Sequence, residues 1–241
     1  MRLTSRTGNV IALGFAQTLA WGSTYYLPAI LAVPIARDLG LPSSWLFAVF
    51  SGALLLTAVL GPSVGRRIDG YGGRGVLAAS NLIFALGLAA LGFAEGLGGV
   101  IVAWVLIGIG MGAGLYDAAF ATLTTLYGNK ARGPITGITL IAGLASTICW
   151  PISAVLDAEY GWRTACFVWA VAHLVIGLPL NLLLGPPTAH AAAAAPSGAD
   201  AVPAHRRAMV LLALVFAAAW FVTGAMAAHL PRLLEDRKSV V

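Results

Sequence analysis

The stretch Gly65-Arg-Arg-Ile-Asp69-Gly-Tyr-Gly72-Gly-Arg74-Gly-Val-Leu77 concentrates glycine, arginine and a single acid between two long apolar segments. Working outward, each flank runs for about the 20 residues that a helix needs to cross a bilayer core of about 30 Å. Seven such apolar windows fall at residues 9–33, 45–65, 75–94, 98–127, 134–156, 164–185 and 208–230. Hydrophobic residues make up 59% of the chain and charged residues only 10%. Soluble globular domains carry about 25% charged residues. The fold class expected is therefore an all-α, polytopic membrane protein.

Lysine and arginine set the orientation. With the amino terminus inside, Arg2, Arg6, Arg66, Arg67, Arg74, Lys130, Arg132, Arg206 and Arg207 fall on the cytoplasmic side. Arg37, Arg163, Arg232, Arg237 and Lys238 fall outside, so nine face five. The positive-inside rule then predicts a cytoplasmic amino terminus in the cell membrane. The net charge of +5 reflects topology and attraction to anionic lipid headgroups, and nucleic acid is not an expected partner. The first apolar segment is too long for a signal-peptide core and reads as a retained anchor. Cys149 and Cys166 lie inside membrane windows without metal-ligand spacing and read as small core residues.

The chain divides into a six-helix bundle over residues 1–185, a cytoplasmic linker over 186–207 rich in proline and alanine, a seventh helix over 208–230 and a tail over 231–241. A lone helix after a long central loop reads as the start of a second bundle. The ending Asp236-Arg-Lys-Ser-Val-Val241 resembles the in-frame translation of a sequencing adapter, so a truncated chain with a missing carboxyl-terminal half is expected.

In this setting the opening stretch resembles the cytoplasmic loop between helices two and three of major facilitator superfamily transporters, Gly-x-Leu-Ala-Asp-Arg-x-Gly-Arg-Lys-x-x-Leu. Gly65, Asp69, Gly72, Arg74 and Leu77 match in position, whereas Arg67 and Gly70 depart. Gly161-Trp162-Arg163 resembles the turn before helix six, and residues 127–137 loosely resemble a connection in monocarboxylate-type members. The resemblance implies two six-helix halves rocking about a midplane site, with Gly65, Asp69, Gly72 and Arg74 in a gating loop. Chemically, Gly72, Gly73 and Gly75 permit a turn of about three to five residues with positive φ. Gly65 allows close helix approach, and Asp69 caps a helix end with Arg74 as countercharge. Against a closer assignment, the arginine that many proton-coupled members carry early in helix four is Trp104 here, and the antiporter pattern of helix five is missing.

Polar groups inside apolar windows supply the site candidates. Asp117 is the one acid in a membrane window, and an ionised acid there costs about 2.5–3.5 kcal/mol, so it should face protein or water. Helical spacing puts Gly110, Ala113, Gly114, Ala121 and Thr124 on its face, with Trp104, Met111, Leu115 and Leu126 opposite. The run Gly108-Ile-Gly110-Met-Gly112-Ala-Gly114 reads as small-residue helix packing rather than a dinucleotide loop, because no strand precedes it. Gln17, Trp21, Thr24 and Tyr25 mark helix one, and Thr139, Thr147 and Trp150 mark helix five; each serine or threonine has interhelical hydrogen bonding as its alternative role. His173 reads as a packed histidine, because helix six is peripheral in the family. No catalytic, metal or cofactor constellation emerges, and an enzyme is not expected. The expected function is a secondary transporter of a small solute, with an organic anion as one candidate class and a proton as one candidate coupling ion; the coupling ion and the direction of transport stay open. The alternative is a truncated, non-transporting fragment or assembly partner.

Overall fold

The computed structural model describes residues 5–185, 210–219, 221–224 and 226. It divides into two compact units, Met1–Ala195 and Pro196–Val241. Among the described residues every regular element is helical. The first unit contains six helices long and apolar enough to cross a membrane: α1 (Arg6–Asp38), α2 (Ser43–Tyr71), α3 (Gly73–Gly92), α4 (Leu97–Lys130), α5 (Arg132–Tyr160) and α6 (Trp162–Leu182). In the second unit, α7 (Val210–Gly224) is a shorter apolar helix. The proposed linker and tail lie outside the described residues.

The helices reach further than the uncharged windows, because charged residues remain helical once they emerge into the headgroup region. Thus α2 continues through Arg66, Arg67 and Asp69 to Tyr71. The expected turn of three to five residues is reduced to Gly72, whose φ of 81° is the positive value that favours glycine. Gly73 serves a different purpose. A Cβ there would sit 1.7 Å from Thr122 Oγ1, so the start of α3 lies directly on α4.

Glycine pairs four residues apart set the inner packing. On α4, Gly108 and Gly112 turn to α2, where a Cβ at Gly108 would come within 2.9 Å of the Ala53 carbonyl. Gly110 and Gly114 turn to α3 and would press on Phe84 at 2.7 Å. Four residues are close to one helical turn, so each pair forms a flat strip against one neighbour. On α1, Gly14 and Gly22 approach Ile141 and Cys149 of α5 in the same manner. The bulky side chains Trp104, Met111, Leu115 and Leu126 are also buried, so both faces of α4 meet protein.

Burial is uneven. Within the chain 67% of the most apolar window of α1 is covered, against 11% for α2 and 28% for α5. At one end of the bundle, Arg163 forms an ion pair with Asp38, donates to the Ala94 carbonyl at 3.0 Å and lies over the Trp162 ring at 4.3 Å. Trp162 Nε1 also donates to Asp38 at 3.2 Å. The Gly161-Trp162-Arg163 turn therefore ties together the carboxyl-terminal ends of α1 and α3 and the start of α6.

Candidate functional site

Two interruptions of regular helix shape the middle of the bundle. In α4 the helical segment ending at Gly114 and the one starting at Tyr116 are separated by Leu115, which is extended at φ −86° and ψ −166°. In α1 a π-turn spans Trp21–Tyr25 and is closed by the Tyr26 amide donating to the Trp21 carbonyl at 3.0 Å. Pro28 follows; lacking an N–H, it denies the Thr24 carbonyl its ordinary partner and its ring crowds that carbonyl. The Thr24 hydroxyl donates back to the Ala20 carbonyl four residues earlier at 2.6 Å, and the Ser23 hydroxyl lies 2.7 Å from the Leu19 carbonyl. Such back-bonding competes with the regular ladder and bends helices.

The two interruptions touch. Gln17 Nε2 donates to the Gly114 carbonyl at 2.7 Å, next to the break in α4. The Trp21 ring lies 4.7 Å from Tyr116 and 4.9 Å from Tyr25. Tyr26 continues the wall, with its ring 5.4 Å from Tyr25 and 6.0 Å from Trp150, whose indole N–H donates to the Tyr26 carbonyl. Phe50 of α2 stands edge-on to Tyr25. The result is an aromatic wall at mid-bundle built by α1, α2, α4 and α5. Trp21, Tyr25 and Trp150 were legible as candidates; Tyr26, Tyr116 and Phe50 were not, because a lone aromatic in an apolar window resembles any lipid-facing side chain.

Asp117 occupies the first turn after the break, and its side chain is exposed. It lines a cavity of about 320 Å³ with Thr57, Gly61, Pro62 and Gly65 of α2 and Gly112 of α4. Gly65, the first residue of the opening stretch, thus shares a cavity with the one acid of the membrane interior. The face expected for Asp117 needs correction. Leu115 interrupts the helical phase, so Gly110, Ala113 and Gly114 are buried while Asp117 and Thr124 are exposed.

The remaining candidates scatter. Thr24 is fully buried, its hydroxyl bonded to the Ala20 carbonyl. Thr139 and Thr147 are exposed on α5, with the Thr139 hydroxyl bonded to the Ile135 carbonyl. In the stretch from Gly65 to Leu77 Asp69 is exposed, and Arg74 donates to the Leu182 carbonyl of α6 at 2.8 Å instead of pairing with it.

The sequence profile described as Major Facilitator Superfamily matches residues 13–239. The chain belongs to this superfamily. Its membership places it among membrane transport proteins rather than enzymes. This major facilitator chain is 31% identical over 179 residues to an uncharacterized 38 kDa protein in the 23S RNA operon of Thermoproteus tenax, covering 73% of the chain and 46% of that protein. It is 32% identical over 146 residues to a protein of Cupriavidus necator described as a probable sulfoacetate transporter, covering 60% of the chain and 34% of that relative. The chain therefore spans less than half the length of either curated relative.

Proposed function

We propose that the chain supplies one of two six-helix walls of a secondary active transporter, which moves a small solute across the cell membrane by alternating access. The observation that carries this reading is the mid-span break of α4 at Leu115, with the Asp117 carboxylate exposed just beyond it. Discontinuous membrane helices at mid-depth are where carriers bind solutes and coupling ions. An acid tolerated there despite its insertion cost has water or a partner to face. The thinly covered helices α2 and α5 leave faces open for a second six-helix half. In this reading Gly65, Asp69, Gly72 and Arg74 belong to a cytoplasmic gate, and the excess of basic residues supports a cytoplasmic amino terminus.

An organic anion is the solute class favoured by the name of the Cupriavidus relative. Every lysine and arginine among the described residues sits near a helix end, so an anion's countercharge would come from the second half. A second reading, a non-transporting fragment or assembly partner, is favoured by the chain's short span against its relatives. Uptake into proteoliposomes decides between them. With full-length protein and an imposed proton gradient, sulfoacetate or a short carboxylate is expected to accumulate above its external concentration and to leak back when a protonophore is added. Equilibration to the external concentration regardless of the gradient would remove the coupled carrier. Uptake confined to full-length protein would assign the 241-residue chain on its own to the fragment reading.

A further inference from the structure

His173 is fully buried on α6, and its two ring nitrogens reach two other helices. Nε2 lies 2.8 Å from Ser23 Oγ on α1, and Nδ1 lies 2.9 Å from Asn81 Oδ1 on α3. The Phe84 ring covers one face at 4.8 Å. Asn81 Nδ2 donates to the Leu77 carbonyl at 2.8 Å, which leaves Oδ1 as the acceptor facing the ring. Nδ1 therefore carries a proton, and in a neutral ring Nε2 accepts from Ser23. The groups bonded to the ring and stacked on it, from α1 and α3, are uncharged, so the network is complete with a neutral imidazole.

The two ends of the Ser23–His173 contact have the same local form. Ser23 lies within the π-turn of α1, and His173 opens a π-turn of α6, His173–Gly177, closed by the Leu178 amide donating to the His173 carbonyl. Each π-turn precedes a proline, Pro28 or Pro179, that cannot donate to the preceding turn. Gly177 keeps the two helices close to Asn81, since a Cβ there would fall 2.0 Å from Asn81 Oδ1. A π-turn is a local excess of one residue, and π-bulges gather at functional sites. Where this one is anchored fixes the rotation of everything it carries: Ser23 and Thr24 inward, Trp21 and Tyr25 toward the wall. Ser23 has a single proton to share between the Leu19 carbonyl at 2.7 Å and His173 Nε2. With His173 accepting, Ser23 is held by a second helix rather than only by its own.

We propose that His173 is a positioning residue for the solute site: through Ser23 it pins the π-turn of α1 and so sets the placement of Trp21 and Tyr25 in the aromatic wall. The functional weight of that wall rests on the transporter reading, whereas the positioning itself does not. A packed histidine with no such role would contribute stability without dictating the orientation of Trp21.

Fluorine NMR of the 241-residue chain in nanodiscs tests this, with 5-fluorotryptophan in place of its seven tryptophans and the Trp21 resonance assigned by its loss in Trp21→Phe. Glutamine places its amide near Nε2 and can accept from Ser23; asparagine places its amide near Nδ1 and can donate to Asn81. His173→Gln is expected to leave the Trp21 resonance in place, whereas His173→Asn and Ser23→Ala shift it. His173→Asn added to Ser23→Ala is expected to give no further shift. The Trp162 resonance, at the start of α6, is expected to stay unmoved throughout. The proposal is overturned if Gln and Asn at 173 shift Trp21 equally, if Trp162 moves together with Trp21, or if Ser23→Ala leaves Trp21 unmoved. Ser23→Ala alone decides the matter if the histidine variants do not fold. Because the measurement needs no solute, failure of the transporter reading would show in the uptake assay and leave this result standing.

Discussion

Asp117→Asn in the full-length carrier is expected to reduce gradient-driven uptake to the background of empty vesicles, while solute exchange between equal concentrations on the two sides persists. Asparagine matches the carboxylate in size, so the cavity between α2 and α4 keeps its shape. What disappears is the carboxyl group assigned to proton transfer in the proposed cycle. A carrier without it can still turn over with solute bound on both legs of the cycle, but it can no longer move protons with the solute. The change should not harm insertion, because it removes a charge whose membrane placement costs about 2.5–3.5 kcal/mol. Asp117→Glu is expected to restore part of the coupled uptake. Uptake measured across a pH series is the check: the dependence on pH should flatten in Asp117→Asn and return in Asp117→Glu. A wild-type pH profile in Asp117→Asn would take Asp117 out of the coupling scheme.

Gly22→Ala is expected to produce a large loss of stability from a single methyl group. A Cβ at Gly22 would lie 2.2 Å from Cys149 Sγ and 2.4 Å from Cys149 Cβ. The obstruction includes the first atom of the cysteine side chain, which no rotation of χ1 can clear. Only separation of α1 from α5 makes room, and overpacking of this kind costs about 1–3 kcal/mol. Because Gly22 lies in the π-turn, the same movement disturbs Trp21 and Tyr25. A fall in the melting temperature of the detergent-solubilised chain is the readout, and Cys149→Gly in the same chain is expected to recover most of it. An unchanged melting temperature in Gly22→Ala would mean that the two helices do not meet at this point.

The six spans were legible because a bilayer dictates their length and excludes charge, constraints written directly into composition. The glycine strips of α4 were legible for the same kind of reason: spacing by four residues admits one geometry. The break at Leu115 was not, because neither proline nor a polar residue marks it, and a phase carried unbroken from Gly110 to Thr124 put exposed and buried residues on one face. The turn between α2 and α3 was overestimated, since three glycines were read as turn formers when only Gly72 needs positive φ and Gly73 is small to let α3 reach Thr122. Arg74 bonds to α6 rather than countering Asp69, a choice made by tertiary packing that local spacing does not encode. His173 was read as merely packed, because a sequence shows one histidine at a time and its partners lie 150 and 92 residues away.

The central claim is that α5, with α1 and α4, faces a path opened alternately to the two sides of the membrane. Thr147, exposed near the middle of α5, reports on it directly. The native Cys149 and Cys166 are buried, so Thr147→Cys in the full-length protein adds the one accessible thiol among the described residues. Labelling by a membrane-impermeant methanethiosulfonate is expected from both the cytoplasmic and the external side, with a transported solute shifting the two rates in opposite directions. Labelling from one side only, at a rate indifferent to solute and gradient, would contradict alternating access.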